Sequence, residues 1–289
     1  MSKATEVEIL IIGNEILNGD IQDTNTNWLC KQISNSGGSV SRAAVLRDVV
    51  EVLAREIHAA LGRGPRVIIT SGGLGPTADD LTLWGVAKGA GVETELHDDA
   101  LRMIRDCYDE LAANGSIAQG GLNPAREKMA WLPAGATPLH NPVGSAPGVL
   151  FQAGSSTIIS LPGVPAELKG IFNSSLQPFL NQTFSDGVSA MRSITVRCND
   201  ESVLAPVLRR VVKLHPKVYI KSLANTFDQK DDEKVSGRVF GSPEIKITLF
   251  VTGTDQREIE GSIDAALHDL QEGLTSIGIA HWISVQGAE

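Results

Sequence analysis

The feature that most constrains the fold is a regular alternation of short apolar runs with helix-like segments up to about residue 183. The apolar runs read "VEILIIG", "VSRAAVLRD", "RVIITS" and "STIISLP", and they predict strands, most of them buried. The segments between and after them predict helices, namely "DTNTNWLCKQISNSGG", "VVEVLAREIHAALG", "LTLWGVAKGAG", "DDALRMIRDCYDELAANG" and "VPAELKGIFNSSLQPFL". Strands that alternate with helices indicate a parallel sheet with right-handed crossovers. The sequence therefore predicts a doubly wound α/β domain.

A second, smaller domain is predicted after the polar segment "NQTFSDGVSA", which is the best candidate for a linker. We place the first domain at residues 1–183 and the second at residues 184–289. The order of elements in the second is strand, helix, strand, strand, helix, strand, which is typical of a ferredoxin-like α+β unit. Its charged, glycine-containing loop at 228–243 is expected to be mobile.

Composition excludes some classes of protein. The 289 residues include 25 Lys and Arg against 34 Asp and Glu, a net charge of −9. This balance argues against a protein that wraps nucleic acid through broad phosphate neutralisation, but it allows a phosphorylated small-molecule ligand. Cys30, Cys107 and Cys198 lie far apart, as expected of reduced thiols. With no signal-peptide pattern and no long apolar span, we expect a soluble, cytoplasmic protein without a membrane partner.

Polar and glycine residues follow several predicted strands at the point where each strand ends. In an open parallel sheet these ends share one edge, and ligands bind there. The candidate residues after the first, second and late strands are Glu15, Asn18, Gly19, Asp48, Pro162, Gly163 and Glu167. The third strand is followed by "SGGLGPTADD", residues 71–80.

The glycine loop after the third strand suggests a phosphate site. Gly72, Gly73 and Gly75 allow main-chain N–H groups to approach a phosphate that a Cβ atom would keep away. Asp79 and Asp80 would repel that phosphate unless a divalent cation lay between the carboxylates and the phosphate. The pattern therefore suggests a metal-bridged phosphate site.

A structural interpretation of the same residues stays open. The stretch "TADD", from Thr77 to Asp80, fits a helix capping box, and glycines after a strand often form only a tight turn. Asp48 could cap the helix that follows it, and Glu15 could be a solvated acid of a first helical turn. Walker A, G-x-G-x-x-G, H-E-x-x-H and zinc-type Cys/His patterns are absent from the sequence.

Four stretches together resemble a known family: "IIGNEILNGDIQDTNTNWL", "TSGGLGPTADDLT", "NPVGSAPG" and "LPGVPAELKGIF". They are similar to the N-terminal part of the CinA (competence/damage-inducible) family, within the molybdopterin-binding fold superfamily that includes molybdopterin adenylyltransferases. The resemblance is strong over about residues 6–180 and looser over 185–289. It implies a metal-dependent pyrophosphatase that acts on ADP-ribose, or on a related dinucleotide such as FAD.

The resemblance also implies roles for single positions. It places the superfamily's glycine loop on Gly72, Gly73 and Gly75, its essential acid on Asp80, a second acid on Asp48 and its lysine on Lys128. These last three are the predicted catalytic residues. The other ligand-binding positions are expected at Ser71, Thr77, Asn141, Gly144, Ser145, Pro147 and Gly148. Two departures are Asn14, where the family has Thr or Asp, and Met129, where it has Gln.

The favoured hypothesis is a hydrolase in which Asp80, Asp48 and Glu15 hold a divalent ion (Mg²⁺, Mn²⁺ or Co²⁺). The glycine loop and Lys128 would neutralise the pyrophosphate of a nucleotide. One alternative is adenylyl transfer to molybdopterin at the same site. Another is a non-catalytic pterin or nucleotide binder in which the second domain mediates assembly. We expect a homodimer.

Overall fold

A computed structural model describes residues 5–184, 187–198, 200–224 and 244–283. By its internal contacts the chain divides into two compact units, one at residues 4–185 and one at residues 186–289. Within the described residues, no helix is both long enough and apolar enough to cross a membrane.

The first unit contains a six-stranded sheet of order β2-β1-β3-β8-β7-β6. Strands β2, β1, β3 and β8 are parallel, whereas β7 runs antiparallel to both of its neighbours, β8 and the edge strand β6. Strands β4 and β5 form a separate antiparallel pair. The bounds are β1 (Glu6–Ile12), β2 (Ser39–Leu46), β3 (Val67–Ser71), β4 (Thr94–Leu96), β5 (Trp131–Pro133), β6 (Thr137–Leu139), β7 (Gly148–Ala153) and β8 (Ser156–Leu161). The mainly parallel α/β class predicted from the alternation is confirmed.

Helices cover both faces of this sheet because successive side chains of β1 point to opposite sides. Leu10 packs on one side with Ile57 and Val86, and Ile9 packs on the other with Leu29. The helices are α1 (Asn14–Leu17), α2 (Asn25–Asn35), α3 (Val50–Arg63), α4 (Thr82–Ala90), α5 (Asp98–Ala113), α6 (Pro124–Lys128), α7 (Pro165–Asn173) and α8 (Gln177–Thr183).

One helix prediction needs correction. The segment "VPAELKGIFNSSLQPFL" forms two helices, α7 and α8, instead of one. Ser174 ends α7 with its hydroxyl donating to Gly170 O at 2.6 Å. Pro178 lies in the first turn of α8, where its missing N–H costs nothing, whereas it could not continue α7 without losing a hydrogen bond.

The second unit has the βαββαβ order predicted from sequence. Its elements are β9 (Val188–Arg197), α9 (Glu201–Leu214), β10 (Tyr219–Ala224), β11 (Glu244–Gly253), α10 (Gln256–Ser276) and β12 (His281–Ile283). The sheet is antiparallel, in the order β10-β11-β9-β12. Leu204 of α9 and Ile263 of α10 pack with Ile194 and Ile247 in one core. The predicted mobile loop at 228–243 lies outside the described residues.

Candidate functional site

A cleft of about 420 Å³ opens in the first unit where the chain leaves β1 and β3. The chain passes from β1 to its neighbour β2 on one side, and later enters β3 on the other side of β1. The loops after β1 and β3 therefore diverge, and such a switch point at the carboxyl ends of parallel strands is the usual ligand site of an open sheet. We call this cavity the acidic cleft.

The acidic cleft is lined by several carboxylates. Among the described residues, its lining contains no lysine, arginine or histidine. The six acidic residues of the lining are Glu15, Asp23, Asp48, Asp79, Asp80 and Glu167. An anionic ligand would be repelled from such a wall unless a cation entered with it.

The floor of the cleft is the glycine loop after β3, and the fold itself requires two of its glycines. Gly72 has φ +111°, and a Cβ there would lie 2.0 Å from Ile12 O. Gly73 has φ +67°, and a Cβ there would lie 2.4 Å from Thr82 Oγ1. The Thr82 hydroxyl in turn donates to Gly72 O at 2.7 Å. Close packing of the backbone therefore accounts for glycine at positions 72 and 73, whether or not a ligand binds there.

Asp79 and Asp80 belong to a tight turn that precedes α4. Thr77 N donates to Asp80 Oδ2 at 2.8 Å, and Thr77 Oγ1 lies 2.5 Å from Asp79 Oδ1 and 2.6 Å from Asp80 Oδ2. Helix α4 begins only at Thr82, with Leu81 at the N-cap, so "TADD" does not form a capping box on this helix. The Thr77 hydroxyl lowers the pKa of Asp79, which keeps its carboxylate charged.

Asp48 faces other carboxylates across the cleft. Asn14 N donates to Asp48 Oδ2 at 2.7 Å, and the residue at the N-cap of α3 is Val49, so Asp48 does not cap that helix. Burial raises the pKa of Asp48, and the charges of Glu15 and Asp79 raise it further, although the Asn14 amide lowers it. The fold therefore gathers negative charge from the loops after β1, β2 and β3.

Lys128 supports the glycine loop from outside the cleft. Its Nζ donates to Gly75 O at 3.2 Å, to Asp80 O at 2.7 Å and, at shorter range, to Thr77 O. Burial lowers the pKa of Lys128, and Asp80 and Asp79 act in the opposite direction. The ammonium group thus binds three carbonyl oxygens of the turn, and Lys128 is not among the lining residues. This geometry is that of a positioning residue.

The loop "NPVGSAPG" separates the acidic cleft from a second cavity of about 440 Å³ beside α5. Asn141 organises the loop: Oδ1 accepts from Val143 N and Gly144 N at 3.0 Å each, and Nδ2 donates to Ala146 O at 2.8 Å. The same Nδ2 donates to Glu167 Oε2 at 2.7 Å. Ala146 and Glu167 line the acidic cleft, whereas Gly144 lines the second cavity.

The residues predicted from sequence fall into three groups. Those that line the acidic cleft are Glu15, Asp48, Ser71, Gly72, Gly73, Gly75, Asp80, Pro162, Gly163 and Glu167. Those that line the second cavity are Asn141, Gly144, Ser145 and Pro147. Those that line neither cavity are Asn18, Gly19, Thr77, Lys128 and Gly148. Gly148 is the buried first residue of β7, where a Cβ would lie 3.1 Å from Ile171.

Asn25 was missed by the sequence reasoning. Its Nδ2 donates to Gly163 O at 2.8 Å and to Ser71 Oγ at 3.1 Å, which ties α2 to the loops after β3 and β8. Asn25 lines the cleft, and its buried Oδ1 has no hydrogen-bond partner in the described part of the chain. The available signal was the polar run "DTNTN" after the first strand, which the prediction used only as a helix start.

The donor set fits a hard cation that also binds phosphate. Among the described residues, no three His, Cys, Asp or Glu side chains are arranged to enclose a metal ion by themselves. Mg²⁺ does not need such a cage, since it commonly binds through one or two carboxylates together with substrate phosphates and water. Asp48, Asp79 and Asp80 each accept a hydrogen bond from a protein donor, and all three line the cleft.

Comparison with known proteins agrees with the fold of the first unit. The family model described as "Probable molybdopterin binding domain" matches residues 8–182. This range contains all residues that line the acidic cleft.

Relatives extend the similarity through the second unit. A protein from Aeropyrum pernix is 37% identical over 270 residues, covering 93% of this chain and 94% of its own. One from Pyrobaculum arsenaticum is 35% identical over 268 residues, covering 93% and 94%. The crystal structure of the protein CinA from Thermoplasma acidophilum is 34% identical with a TM-score of 0.54, covering 61% of this chain and 98% of that one. The chain therefore belongs to the molybdopterin-binding domain family and, within it, is CinA-like.

Proposed function

We propose that the acidic cleft is the active site of a divalent-metal-dependent pyrophosphatase that hydrolyses ADP-ribose or a related dinucleotide such as FAD. One observation carries the proposal: in the part of the chain that the structure describes, six carboxylates and no basic side chain line a cleft floored by a glycine loop. Such a wall binds a cation readily and a bare phosphate poorly, whereas the glycine loop favours close approach of phosphate oxygens. A ligand that satisfies both features is a metal-complexed pyrophosphate.

Residues from several loops would share the binding of the metal ion and of the pyrophosphate. One or two of Asp48, Asp79, Asp80 and Glu15 would bind a divalent ion together with ligand phosphates and water, because no three acidic side chains of the described residues enclose an ion by themselves. A divalent ion supplies charge neutralisation and Lewis acidity when it is bound. Gly72, Gly73 and Gly75 present main chain to the phosphates, and Lys128 fixes the shape of their loop through its three carbonyl contacts. Asn25 Oδ1 offers an acceptor for a hydroxyl or amino group of the ligand.

The reaction itself is the exchange of one P–O bond for another. The oxygen of a water molecule bonds to one phosphorus, the bond from that phosphorus to the bridging oxygen breaks, and the proton of the water passes to a carboxylate of the cleft. ADP-ribose would give AMP and a sugar phosphate. The carboxylates orient the water and accept the proton, and the closed turn at 77–80 keeps two of them in place.

Adenylyl transfer to molybdopterin is the second candidate. It is favoured by the family description, "Probable molybdopterin binding domain", and by the second cavity on the far side of the loop at 141–147, which could receive a pterin. The two candidates share the acidic cleft but differ in their acceptor, which is water in the first and a pterin in the second.

Chromatographic product analysis separates the candidates. The full chain is incubated with ADP-ribose, FAD, NADH, or molybdopterin and ATP, each with Mg²⁺, Mn²⁺ or Co²⁺. Release of AMP from a dinucleotide without molybdopterin supports the pyrophosphatase. Formation of adenylylated molybdopterin from ATP, without dinucleotide hydrolysis, would replace it with the second candidate. Tight binding without turnover of any of these would show a non-catalytic binder.

Matched variants assign the activity to the cleft. Asp80→Asn and Glu15→Gln each remove one charge from the lining, whereas Glu127→Gln removes a charge from an exposed side chain outside it. We expect loss of turnover only in the first two. Equal loss in Glu127→Gln, or full activity in Asp80→Asn, would contradict the assignment.

A further inference from the structure

The sheet of the second unit has one face that its own helices do not cover. Ile245, Ile247, Leu249 and Val251 of β11 alternate into the core shared with α9 and α10. Because successive side chains of a strand point to opposite faces, the residues between them lie on the other face. We call this surface the open sheet face.

Aromatic side chains are spread over the open sheet face. Tyr219 of β10 lies directly opposite Phe250 of β11, which lies opposite Met191 of β9. Trp282 of β12 lies opposite Thr195 on the other side of β9. Tyr219 is 62% exposed, Met191 43% and Trp282 41%. Large exposed apolar groups concentrated on one face mark an interaction surface.

Cations lie between these aromatic residues. Lys221 is opposite Thr248, one row from the Tyr219–Phe250 pair, and Lys246 lies opposite Leu223 and Thr195, in the row that contains Trp282. Neither lysine forms an ion pair with any described residue. In the last row Arg197 faces Glu244, so these two charges offset each other. The face is therefore positive in a chain whose net charge is −9.

The charge of the face selects among possible partners. A second copy of the same face would also carry Lys221 and Lys246, and the repulsion between two positive faces opposes self-association. A purely apolar segment would bury both ammonium groups without partners. A polyanion that also carries flat apolar groups meets every feature: its phosphates pair with the lysines and its bases stack on the aromatic rings.

We propose that the open sheet face binds single-stranded nucleic acid. Tyr219 and Trp282 are separated by three strand spacings and about four residues along the strands, so roughly 20 Å lies between them. In one common RNA-binding module, aromatic residues on a four-stranded sheet stack two or three bases, and the open sheet face offers aromatic residues on a sheet of the same size. The net charge of −9 argues against broad wrapping of a nucleic acid, but a few nucleotides bound on one local patch do not require such wrapping.

Fluorescence anisotropy with the full chain tests this proposal. The probes are labelled ten-nucleotide single strands of RNA and of DNA, with a duplex of the same sequence for comparison. We expect binding of at least one single strand, weakening as salt is raised, and weaker binding of the duplex. Comparison of the two single strands shows which sugar is preferred. Absence of binding to either single strand at low salt would overturn the proposal.

Surface variants locate the binding without disturbing the core. Tyr219→Ala and Trp282→Ala each should weaken binding about tenfold, and Lys221→Gln about fivefold, with a shallower salt dependence. Leu214→Ala and Lys213→Ala, which change exposed residues of α9, are the controls and should bind like the unaltered chain. Equal losses in both sets, or unchanged binding in the first set, would overturn the assignment. The assignment would also be overturned if sedimentation showed that Tyr219→Ala converts a dimer to a monomer. Pyrophosphatase activity plays no part in the readout, so either proposal can fail alone.

Discussion

Asn14 N and Asp48 Oδ2 form a hydrogen bond of 2.7 Å that joins the loop after β1 to the loop after β2. This bond holds the Asp48 carboxylate beside Glu15 in the acidic cleft, where its charge is unfavourable. A fold that gathers like charges in one place gives up some stability there, and such sites are commonly functional.

Replacing Asp48 by Asn should therefore separate activity from stability. The raised pKa of Asp48 means that the folded chain disfavours the charged form, so the neutral amide relieves repulsion at neutral pH. We expect a rise in Tm of up to about 3 °C without metal, together with a loss of turnover of about 100-fold or more. Calorimetry and product assays measure the two effects. A lower Tm together with retained turnover would contradict the assigned role.

Added Mg²⁺ gives a further check on Asp48. A ligand that binds only the folded state raises its stability, so the unaltered chain should gain more from Mg²⁺ than Asp48→Asn does. Glu127→Gln, which leaves the cleft intact, should respond like the unaltered chain. An identical Mg²⁺ response in all three proteins would show that the cleft does not bind the ion.

Gly72→Ala should be one of the most destabilising substitutions in the glycine loop. Gly72 has a φ of +111°, and the added Cβ would lie 2.0 Å from Ile12 O. The ends of β1 and β3 would therefore have to move apart. We expect a loss of about 3 kcal/mol or more in the free energy of unfolding. Gly19→Ala also has positive φ but meets no atom within 4 Å, so it should cost only about 1 kcal/mol. Urea unfolding compares them, and equal costs would show that the contact with Ile12 is not tight.

Lys128→Met should loosen the turn at 75–80 while leaving the carboxylates in place. Three carbonyl oxygens lose their shared donor, which should cost about 1–3 kcal/mol. Hydrogen exchange should increase at residues 75–81, and KM should rise more than kcat falls, as expected of a residue that only positions the loop. Lys88→Met is the control, since its ion pair with Glu51 is exposed to solvent and should contribute little to stability. A collapse of kcat at unchanged KM would instead indicate direct contact with the reacting atoms.

The hydrogen bond between Asp269 and His215 predicts that the stability of the second unit depends on pH. The hydrogen bond from His215 lowers the pKa of Asp269 below its ordinary value of 3.8. A depressed carboxyl pKa stabilises the fold above the unfolded value, and this stabilisation is lost as pH falls through the folded value. The difference in unfolding free energy between the unaltered chain and Asp269→Asn should therefore shrink below about pH 4. Urea unfolding from about pH 2 to pH 6 measures it, with Glu272→Gln as the exposed control. A difference that grew toward low pH would refute the pairing.

Much of the fold could be predicted from sequence because it is encoded locally. Buried parallel strands produce uninterrupted apolar runs such as residues 67–71, and amphipathic helices such as α3 have their own periodicity. Strands of three residues, such as β4, β5 and β6, are too short to show any period, and the prediction missed them. The antiparallel strand β7 was missed as well.

By itself the sequence determined the order of the parallel strands β1, β2, β3 and β8 and the sheet edge at which Glu15, Asp48 and Asp80 follow them, because both depend on chain direction and local pattern. Only the tertiary structure decided that Lys128 binds the carbonyls of the turn and that Asn141 holds a loop between two cavities. The partners in these contacts lie from 5 to more than 50 positions apart along the chain. Such contacts depend on how the whole unit packs, so the local sequence pattern does not reveal them.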